Sequence, residues 1–236
     1  MLATEAHQQL AIVYLHIGLM DEASKEAKMA LEIDSVHSRL HYNMGLIALH
    51  RGDYQQAERE LRRGDIIQAG LNHADLALAC FKQGKANEAK NVIENALKDS
   101  PTDPGGQFAS VEAMLFARVG EFTRAKEAIQ KAEQRGKGYG HFHHTAYNIG
   151  CVYALMNQPE DAVRWLRTAA DTGFPCYPAF QNDPTLANIR SDSQFQKFLA
   201  EQRNLWMGRK VVELISMSEA AVVNRRFSLC SPGAQS

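Results

Sequence analysis

The sequence predicts an all-α fold in which about five helical hairpins stack into a solenoid and a C-terminal helix caps its end. Three observations support this prediction. Small and apolar residues recur at intervals of three and four, which places them on one face of an α-helix. A glycine, or in the last copy an asparagine, interrupts each run where the chain has to reverse. The whole pattern occurs five times along the chain.

The clearest copy of the pattern lies between Leu76 and Pro101. Its first helix ends at Gly84, a position that favours the left-handed backbone that glycine adopts at low cost. Its second helix is ended by Pro101, which cannot continue a helix. The residues that share the facing surfaces of the two helices are Leu76, Ala77 and Cys80, then Ala89, Ile93 and Ala96. Small side chains on both surfaces indicate that the two helices pack closely.

The other copies keep these offsets, and the matching second-helix alanines are 34, 32, 36 and 37 residues apart. These alanines are Ala23, Ala57, Ala89, Ala125 and Ala162. The period and the residue types resemble the tetratricopeptide repeat, or TPR, over about residues 4–176. The resemblance implies a right-handed superhelix whose concave face binds a protein or peptide. Two features depart from the TPR pattern: its usual tryptophan near the start of the first helix is absent throughout, and Asn157 replaces the turn glycine in the last copy.

The repeats are expected within residues 3–176, at about 4–37, 38–69, 70–103, 106–139 and 143–176. Because the end of a solenoid normally needs a polar outer face and the first repeat starts almost at the first residue, we expect the natural protein to extend further upstream. Residues 177–207 are expected to form a closing segment and a capping helix. Residues 208–236 are expected to form a weak helix and a disordered tail.

The stretch from Gly173 to Leu199 resembles the one that ends many bacterial TPR arrays. The resemblance rests on Gly173-Phe174-Pro175, on Asp183-Pro184 with the leucine, isoleucine and arginine that follow, and on Phe195, Phe198 and Leu199. Such arrays are commonly attached to serine/threonine kinase, cyclase or winged-helix DNA-binding domains. The resemblance therefore implies a sensor or scaffold module of a bacterial signalling protein.

Composition excludes several classes of function and favours a folded protein of the cytoplasm. Lysine and arginine number 26 against 27 aspartates and glutamates, so the basic surplus typical of nucleic-acid binders is absent. Polar residues interrupt every apolar run, which argues against a membrane span, and the N-terminus lacks the design of a signal peptide. The four cysteines lie far apart and form no C-x-x-C pair, as expected in a reducing compartment.

The concave face is the predicted binding surface for a partner peptide or a neighbouring domain. On each first helix, the residues not used for packing within the hairpin are expected to point into it. These residues are Gln8, Ile12, Leu15, His16, Arg39, Tyr42, Asn43, Leu46, His50, Asp75, Leu78, Lys82, Val111, Met114, Arg118, Tyr147, Asn148 and Cys151. The alternative is that they form a solvated face and that another surface binds the partner.

One TPR subclass grips the C-terminal carboxylate of chaperones with lysine, asparagine and arginine side chains. Asn43 matches one asparagine of that clamp, but asparagine is also common at this TPR position. Gln8, Leu71 and Asp75 stand where the basic residues are expected, and Asp75 would repel a carboxylate. The sequence therefore argues against binding of chaperone tails.

A dense histidine cluster spans residues 141–144, and neutral imidazoles at this spacing can bind zinc, with Cys151 as a distant fourth ligand. His141 and His144 are expected to share a helix face while His143 diverges, and the cluster is expected at a helix start that faces water. A solvent-exposed or packing role is favoured, so no metal or other cofactor is predicted.

Sequence motifs of enzymes are missing. The chain contains no H-E-x-x-H zinc motif, and the kinase signatures H-R-D and D-F-G are absent. No catalytic residue is predicted, and the expected function is a non-catalytic scaffold. An enzyme with a site in the groove stays open as the least favoured alternative.

Overall fold

The computed structural model describes residues 2–34, 38–67, 73–99 and 101–229, and within these ranges the chain is helical without a strand. The helices are α1 (Leu2–His16), α2 (Met20–Ile33), α3 (Ser38–Arg51), α4 (Tyr54–Ile67), α5 (His73–Lys82), α6 (Ala86–Asp99), α7 (Gln107–Arg118), α8 (Phe122–Gly136), α9 (Phe142–Leu155), α10 (Pro159–Asp171), α11 (Tyr177–Asn182) and α12 (Ser193–Leu229). Two 3-10 turns, Pro104–Gly106 and Pro184–Ile189, precede α7 and α12.

The first ten helices form five consecutive hairpins, which confirms the predicted fold class. Each odd-numbered helix from α1 to α9 packs against the helix that follows it, and neighbouring hairpins also contact each other. The five second-helix alanines that set the period are all 0% exposed. Side chains of this size bring paired helices close together, as their spacing predicted.

The reversal inside each hairpin uses the left-handed backbone. Gly84 has a φ of 80°, and the turn glycines of the other hairpins have similar values. Asn157 adopts the same region with a φ of 55°, so asparagine serves as the fifth turn residue as expected. In the Gly84 turn the backbone N–H of Lys85 donates to the carbonyl of Cys80 at 3.0 Å, which satisfies a carbonyl at the helix end.

Two glycines inside first helices allow the second helix to approach. A Cβ atom on Gly45 would lie 2.6 Å from Cγ of Leu61, and one on Gly150 would lie 2.8 Å from Cγ of Leu166. Both distances are far below van der Waals contact. The leucine of the second helix therefore occupies the space that a larger residue would need.

Helix α12 joins the two ends of the solenoid. It packs on α10 and α11 through Phe195 and Phe198, both fully buried, as predicted for a capping helix. Further along, the indole N–H of Trp206 donates to the carbonyl of Gly18, in the turn of the first hairpin, at 2.9 Å. Through these contacts α12 reaches from the last hairpin to the first.

The helix does not break where the weak terminal helix was expected to start. Helix α12 runs without interruption from Ser193 to Leu229, past the expected boundary between residues 207 and 208. Residues 230–236, the end of the expected disordered tail, lie outside the described residues. Among the described helices, none combines the length and the apolar character that crossing a bilayer requires.

Candidate functional site

The concave face is partly filled by the segment between α10 and α12, residues 172–192, which we call the closing segment. Phe174 is fully buried, with its ring centroid 4.8 Å from that of His50 on α3 and 5.3 Å from that of Tyr147 on α9. Helix α11 packs on α3, and the 3-10 turn Pro184–Ile189 packs on α9. The closing segment thus lies between the second and fifth hairpins.

A buried ion pair fixes the closing segment to the solenoid. Nζ of Lys82, at the end of α5, lies 2.6 Å from Oδ1 of Asp183, and the two side chains are only 3% and 8% exposed. The Tyr147 hydroxyl donates to Oδ2 of Asp183 at 2.6 Å. The Thr185 backbone N–H and hydroxyl donate to Oδ1 at 2.8 and 2.6 Å. The carboxylate therefore has partners for both oxygens, as a buried charge requires.

These partners decide the charge of Asp183. Burial by itself raises the pKa of a carboxyl group, but the Lys82 ammonium and the hydrogen bonds from Thr185 and Tyr147 lower the pKa of Asp183 to about 2. Burial and the neighbouring carboxylate raise the pKa of Tyr147 well above its ordinary value. At neutral pH Asp183 is therefore an ionised carboxylate surrounded by hydrogen-bond donors. Its role is to hold the structure together.

Histidines from opposite ends of the chain meet beside the closing segment. Nε2 of His16, the last residue of α1, lies 3.2 Å from Nε2 of His144 on α9. The ring centroid of His143 is 4.9 Å from that of His16 and 4.5 Å from that of His144. His50 and His141 flank this group, with centroids 6.2 and 6.5 Å from that of His144. We call His16, His143 and His144 the histidine cluster.

Four imidazoles of this region, those of His16, His50, His143 and His144, are neutral near pH 7 because their pKa values are lowered. Burial and the neighbouring His143 lower the pKa of His16 to about 3, and burial and His141 lower that of His143 to about 4, against a weaker opposing effect of the Thr172 backbone. The pKa of His144 is also well below its ordinary value, mainly through burial. Burial is the main reason that the pKa of His50 falls to about 4.

The histidine cluster corrects two sequence expectations. His143 is 5% exposed, so the prediction that this histidine run faces water holds only for His141, which is exposed. Cys151 was considered as a distant zinc ligand, but its sulfur lies 3.9 Å from Oδ2 of Asp183 in the ion-pair network. The histidine that joins His143 and His144 is His16, from the other end of the chain.

An open cleft of about 350 Å³ remains at one end of the concave face, between α1 and α3 on one side and the link from α8 to α9 on the other. Its lining is rich in amide, imidazole and apolar groups and includes Arg39, and none of the described residues that line it carries a carboxylate. The lining residues are Gln8, Gln9, Ile12, His16, Arg39, Tyr42, Asn43, Leu46, Gln107, Tyr139, His141 and His144.

Seven of the predicted binding residues therefore line the open cleft, although several are mostly buried there. They are Gln8, Ile12, His16, Arg39, Tyr42, Asn43 and Leu46. Asn43 is 1% exposed and donates its amide N–H to the Gln8 carbonyl at 3.3 Å, so it holds α1 against α3. The Tyr42 hydroxyl donates to Asp75 at 3.1 Å, and burial raises the pKa of Asp75 to about 6 despite that hydrogen bond.

The other predicted residues do not line the open cleft, which corrects the expectation of one continuous groove. Most are buried in the core, where helix packing or the closing segment leaves no surface for a partner; they are Leu15, Leu78, Val111, Met114, Tyr147, Asn148 and Cys151. His50 and Lys82 contact the closing segment. Arg118 is exposed, and its guanidinium carbon lies 4.5 Å from the centre of the Phe81 ring.

The sequence analysis did not predict the lining residues on the side of the cleft opposite α1 and α3. Gln107, Tyr139 and His141 were not among the predicted residues, yet they line it. The available signal was the glycine-rich link at residues 135–140, which interrupts the helical pattern between two repeats. That link places Tyr139 opposite α3.

Comparison with known proteins identifies the second hairpin. Residues 38–63, which span α3 and most of α4, match the model of the tetratricopeptide repeat. The second hairpin is thus similar to a tetratricopeptide repeat. The other four hairpins repeat its turn geometry and its buried alanine, so the fold is that of a TPR solenoid.

Solved structures share this fold at low sequence identity. A chain of the APC/C hetero-tetramer Cut9–Hcn1 matches with a TM-score of 0.57 and 12% identity, over 84% of this chain and 42% of that one. PilF of Pseudomonas aeruginosa matches with a TM-score of 0.51 and 16% identity, over 84% of this chain and 97% of that one. These likenesses concern the fold alone.

One curated relative extends well beyond the matched region. A chloroplastic protein of Arabidopsis thaliana is 20% identical over 156 residues, which is 66% of this chain and 44% of the plant protein. The chain thus spans less than half the length of that relative.

Proposed function

We propose that this TPR solenoid is a non-catalytic protein-interaction module that binds an extended, acidic peptide segment in the open cleft. The single observation that carries the proposal is the cleft itself, because most of the residues predicted for the concave face outside the cleft are buried. A volume of about 350 Å³ accommodates a few side chains rather than a folded domain. A chain of the same fold occurs in the Cut9–Hcn1 hetero-tetramer, which fits a role in holding other proteins.

The charge of the residues that line the cleft favours an acidic peptide. Arg39 is exposed at the rim, and the lining contains no aspartate or glutamate to repel an anion. A guanidinium binds carboxylates through paired hydrogen bonds and does so better than an ammonium. Ile12 offers a half-buried apolar contact beside it. We therefore expect a peptide with at least one carboxylate next to an apolar side chain.

The test is a binding measurement with defined peptides. Pools of labelled hexapeptides that carry either an acidic or a basic residue at one fixed position are titrated with the full chain, and binding is followed by fluorescence polarisation. We expect the acidic pools to bind with micromolar affinity, as small interfaces do, and the basic pools to bind at least about tenfold more weakly.

A charge-reversal pair makes this test specific. Arg39→Glu should weaken binding of the acidic pools at least about tenfold, because it replaces the cleft's exposed cation by a repelling charge. Arg63→Glu makes the same change on α4, at an exposed position outside the cleft, and should leave binding unchanged. Equal binding by the two variants, or no binding of any pool to the parent chain, would refute the proposal.

The residues considered for a chaperone-tail clamp are engaged elsewhere. Asn43, the residue that matched the clamp, is buried against Gln8, and Asp75 is held by Tyr42. Leu71, a further position considered for the clamp, lies outside the described residues. A second hypothesis, that the chain is the regulatory TPR module of a bacterial serine/threonine kinase or winged-helix regulator, rests on the resemblance of the closing segment to such arrays.

A further inference from the structure

We propose that the histidine cluster binds one divalent transition-metal ion, with Zn²⁺ as the expected species, and that the ion ties the first hairpin to the fifth. The ligands are His16 from α1 and His143 and His144 from α9. Imidazole suits zinc and its neighbours in the transition series, and three histidines with a fourth position open to water form a recurrent zinc arrangement.

The spacing of two of the ligands already matches a tetrahedral ion. Zinc–nitrogen bonds of about 2.0–2.1 Å place the nitrogens of a tetrahedral site about 3.3 Å apart. The Nε2 atoms of His16 and His144 are 3.2 Å apart. Ligand nitrogens of all three histidines lie within 4.8 Å of one another, so a rotation of the His143 ring brings the third nitrogen to the ion.

The third histidine has unsatisfied nitrogens. Both Nδ1 and Nε2 of His143 are buried, and among the described residues neither has a partner with full hydrogen-bond geometry; the Thr172 backbone, whose effect on the pKa of His143 is weak, is only a marginal one. A buried polar atom without a partner costs free energy, and such atoms are rare in folded proteins. Coordination of a metal ion by one of these nitrogens gives that nitrogen a partner, and the ring lies nearly parallel to that of Phe174 with 6.5 Å between the two centroids.

The position of the cluster gives the ion a structural consequence. His16 ends the first helix of the first hairpin, whereas His143 and His144 begin the first helix of the fifth. An ion bound by both helices closes the solenoid at the point where His16 and His144 line the open cleft. Metal binding is thereby coupled to the shape of the cleft wall.

A second group of potential ligands, Glu58, Cys80 and Glu88, supports no such inference. Glu58 already accepts hydrogen bonds from Arg62, Gln83 and Lys85 at 2.7–2.9 Å. A carboxylate satisfied by three donors, two of them cationic, has no need of a metal ion. The histidine cluster differs because it brings together three imidazoles, of which His16 and His144 pair, among the described residues, only with each other through Nε2, and no cation is among these contacts.

The experiment measures metal binding directly on the full chain without a polyhistidine tag. The protein is stripped with a chelator, dialysed against Zn²⁺, and analysed for bound metal by atomic emission. We expect about one equivalent of zinc and a rise in the melting temperature on zinc addition. Co²⁺ in place of Zn²⁺ should give the intense visible absorption of a tetrahedral site with nitrogen ligands.

Two variants test two of the proposed ligands, and a third variant is the control. His16→Gln and His144→Gln should each weaken zinc binding at least about tenfold and abolish the cobalt absorption. His73→Gln removes a histidine that pairs with Asp65, away from the cluster, and should bind metal like the parent. If the parent binds no zinc, or if His16→Gln and His144→Gln bind it as tightly as the parent, the site is refuted. If a variant does not fold, the amount of zinc bound by the parent chain still tests whether the site exists.

Discussion

Asp183 joins three parts of the molecule through one carboxylate. Lys82 reaches it from α5, Tyr147 from α9 and Thr185 from the 3-10 turn that follows it. A buried ion pair adds little net stability over an apolar contact of the same volume, because both charges lose their hydration. Its main effect is positional: any other placement of the closing segment leaves Lys82 buried without a counter-charge.

The buried histidines make stability depend on pH. The pKa of His50 and of His143 is about 4 in the folded protein, against about 6.5 when unfolded, and that of His16 is lower still. The unfolded chain therefore binds more protons between these values, and stability falls as pH drops below about 6.5. Asp75 acts in the opposite sense, since its pKa is raised to about 6 and its protonation favours the folded state below that pH.

The expected result is a net loss of stability on acidification. From pH 7 to pH 5, each such histidine lowers the free energy of unfolding by on the order of 1–2 kcal/mol, and a single aspartate cannot offset three of them. Urea unfolding in the presence of a chelator at the two pH values measures the change. His50→Gln should reduce this pH dependence and His73→Gln should not. Equal or higher stability of the parent at pH 5 would contradict the prediction.

At the scale of the helix pair, the hairpins are held together by residues that are small. Gly45 is the sharpest case, since the side chain of Leu61 fills the space where its Cβ would be. Gly208, on α12, offers a matched comparison because a Cβ there would meet no atom within 4 Å. The two positions separate the effect of packing from the helix preference of alanine.

We expect opposite results from the same substitution at these two positions. Gly45→Ala forces Leu61 or the whole second helix to move, which should lower the free energy of unfolding by about 1–3 kcal/mol. Gly208→Ala should raise it slightly, by up to about 1 kcal/mol, because alanine is the better helix former. Urea denaturation of both variants gives the comparison. A Gly45→Ala variant as stable as the parent would show that the α3–α4 contact is looser than described.

Sequence alone predicted the hairpins because each is encoded locally. The alanines, the turn glycines and Asn157 recur at fixed short intervals within one helix–turn–helix unit, so the 3.6-residue period and the turn position reveal them. The histidine cluster and the Lys82–Asp183 pair join residues 128 and 101 positions apart. No local period encodes such contacts. The capping helix was predicted, whereas the packing of the closing segment on α3 and α9 was not.

At the scale of the whole molecule, the first and last hairpins contact each other. The His16–His144 contact and the hydrogen bond from Trp206 to Gly18 both connect the ends of the array. A solenoid normally transmits stability only between neighbouring repeats. Here the ends are linked, and the space between them is reduced to the open cleft by the closing segment.

The most direct test of this architecture is native-state hydrogen exchange of the closing segment. If residues 174–189 occupy the concave face, their hydrogen-bonded amides should exchange nearly as slowly as those of α9, because both open only when the core does. Lys82→Met should speed exchange in this segment before it affects α9, whereas Lys90→Met, at an exposed position, should not. Fast exchange of the segment in the parent chain, at rates typical of an unprotected loop, would show that the concave face is open and would contradict the account.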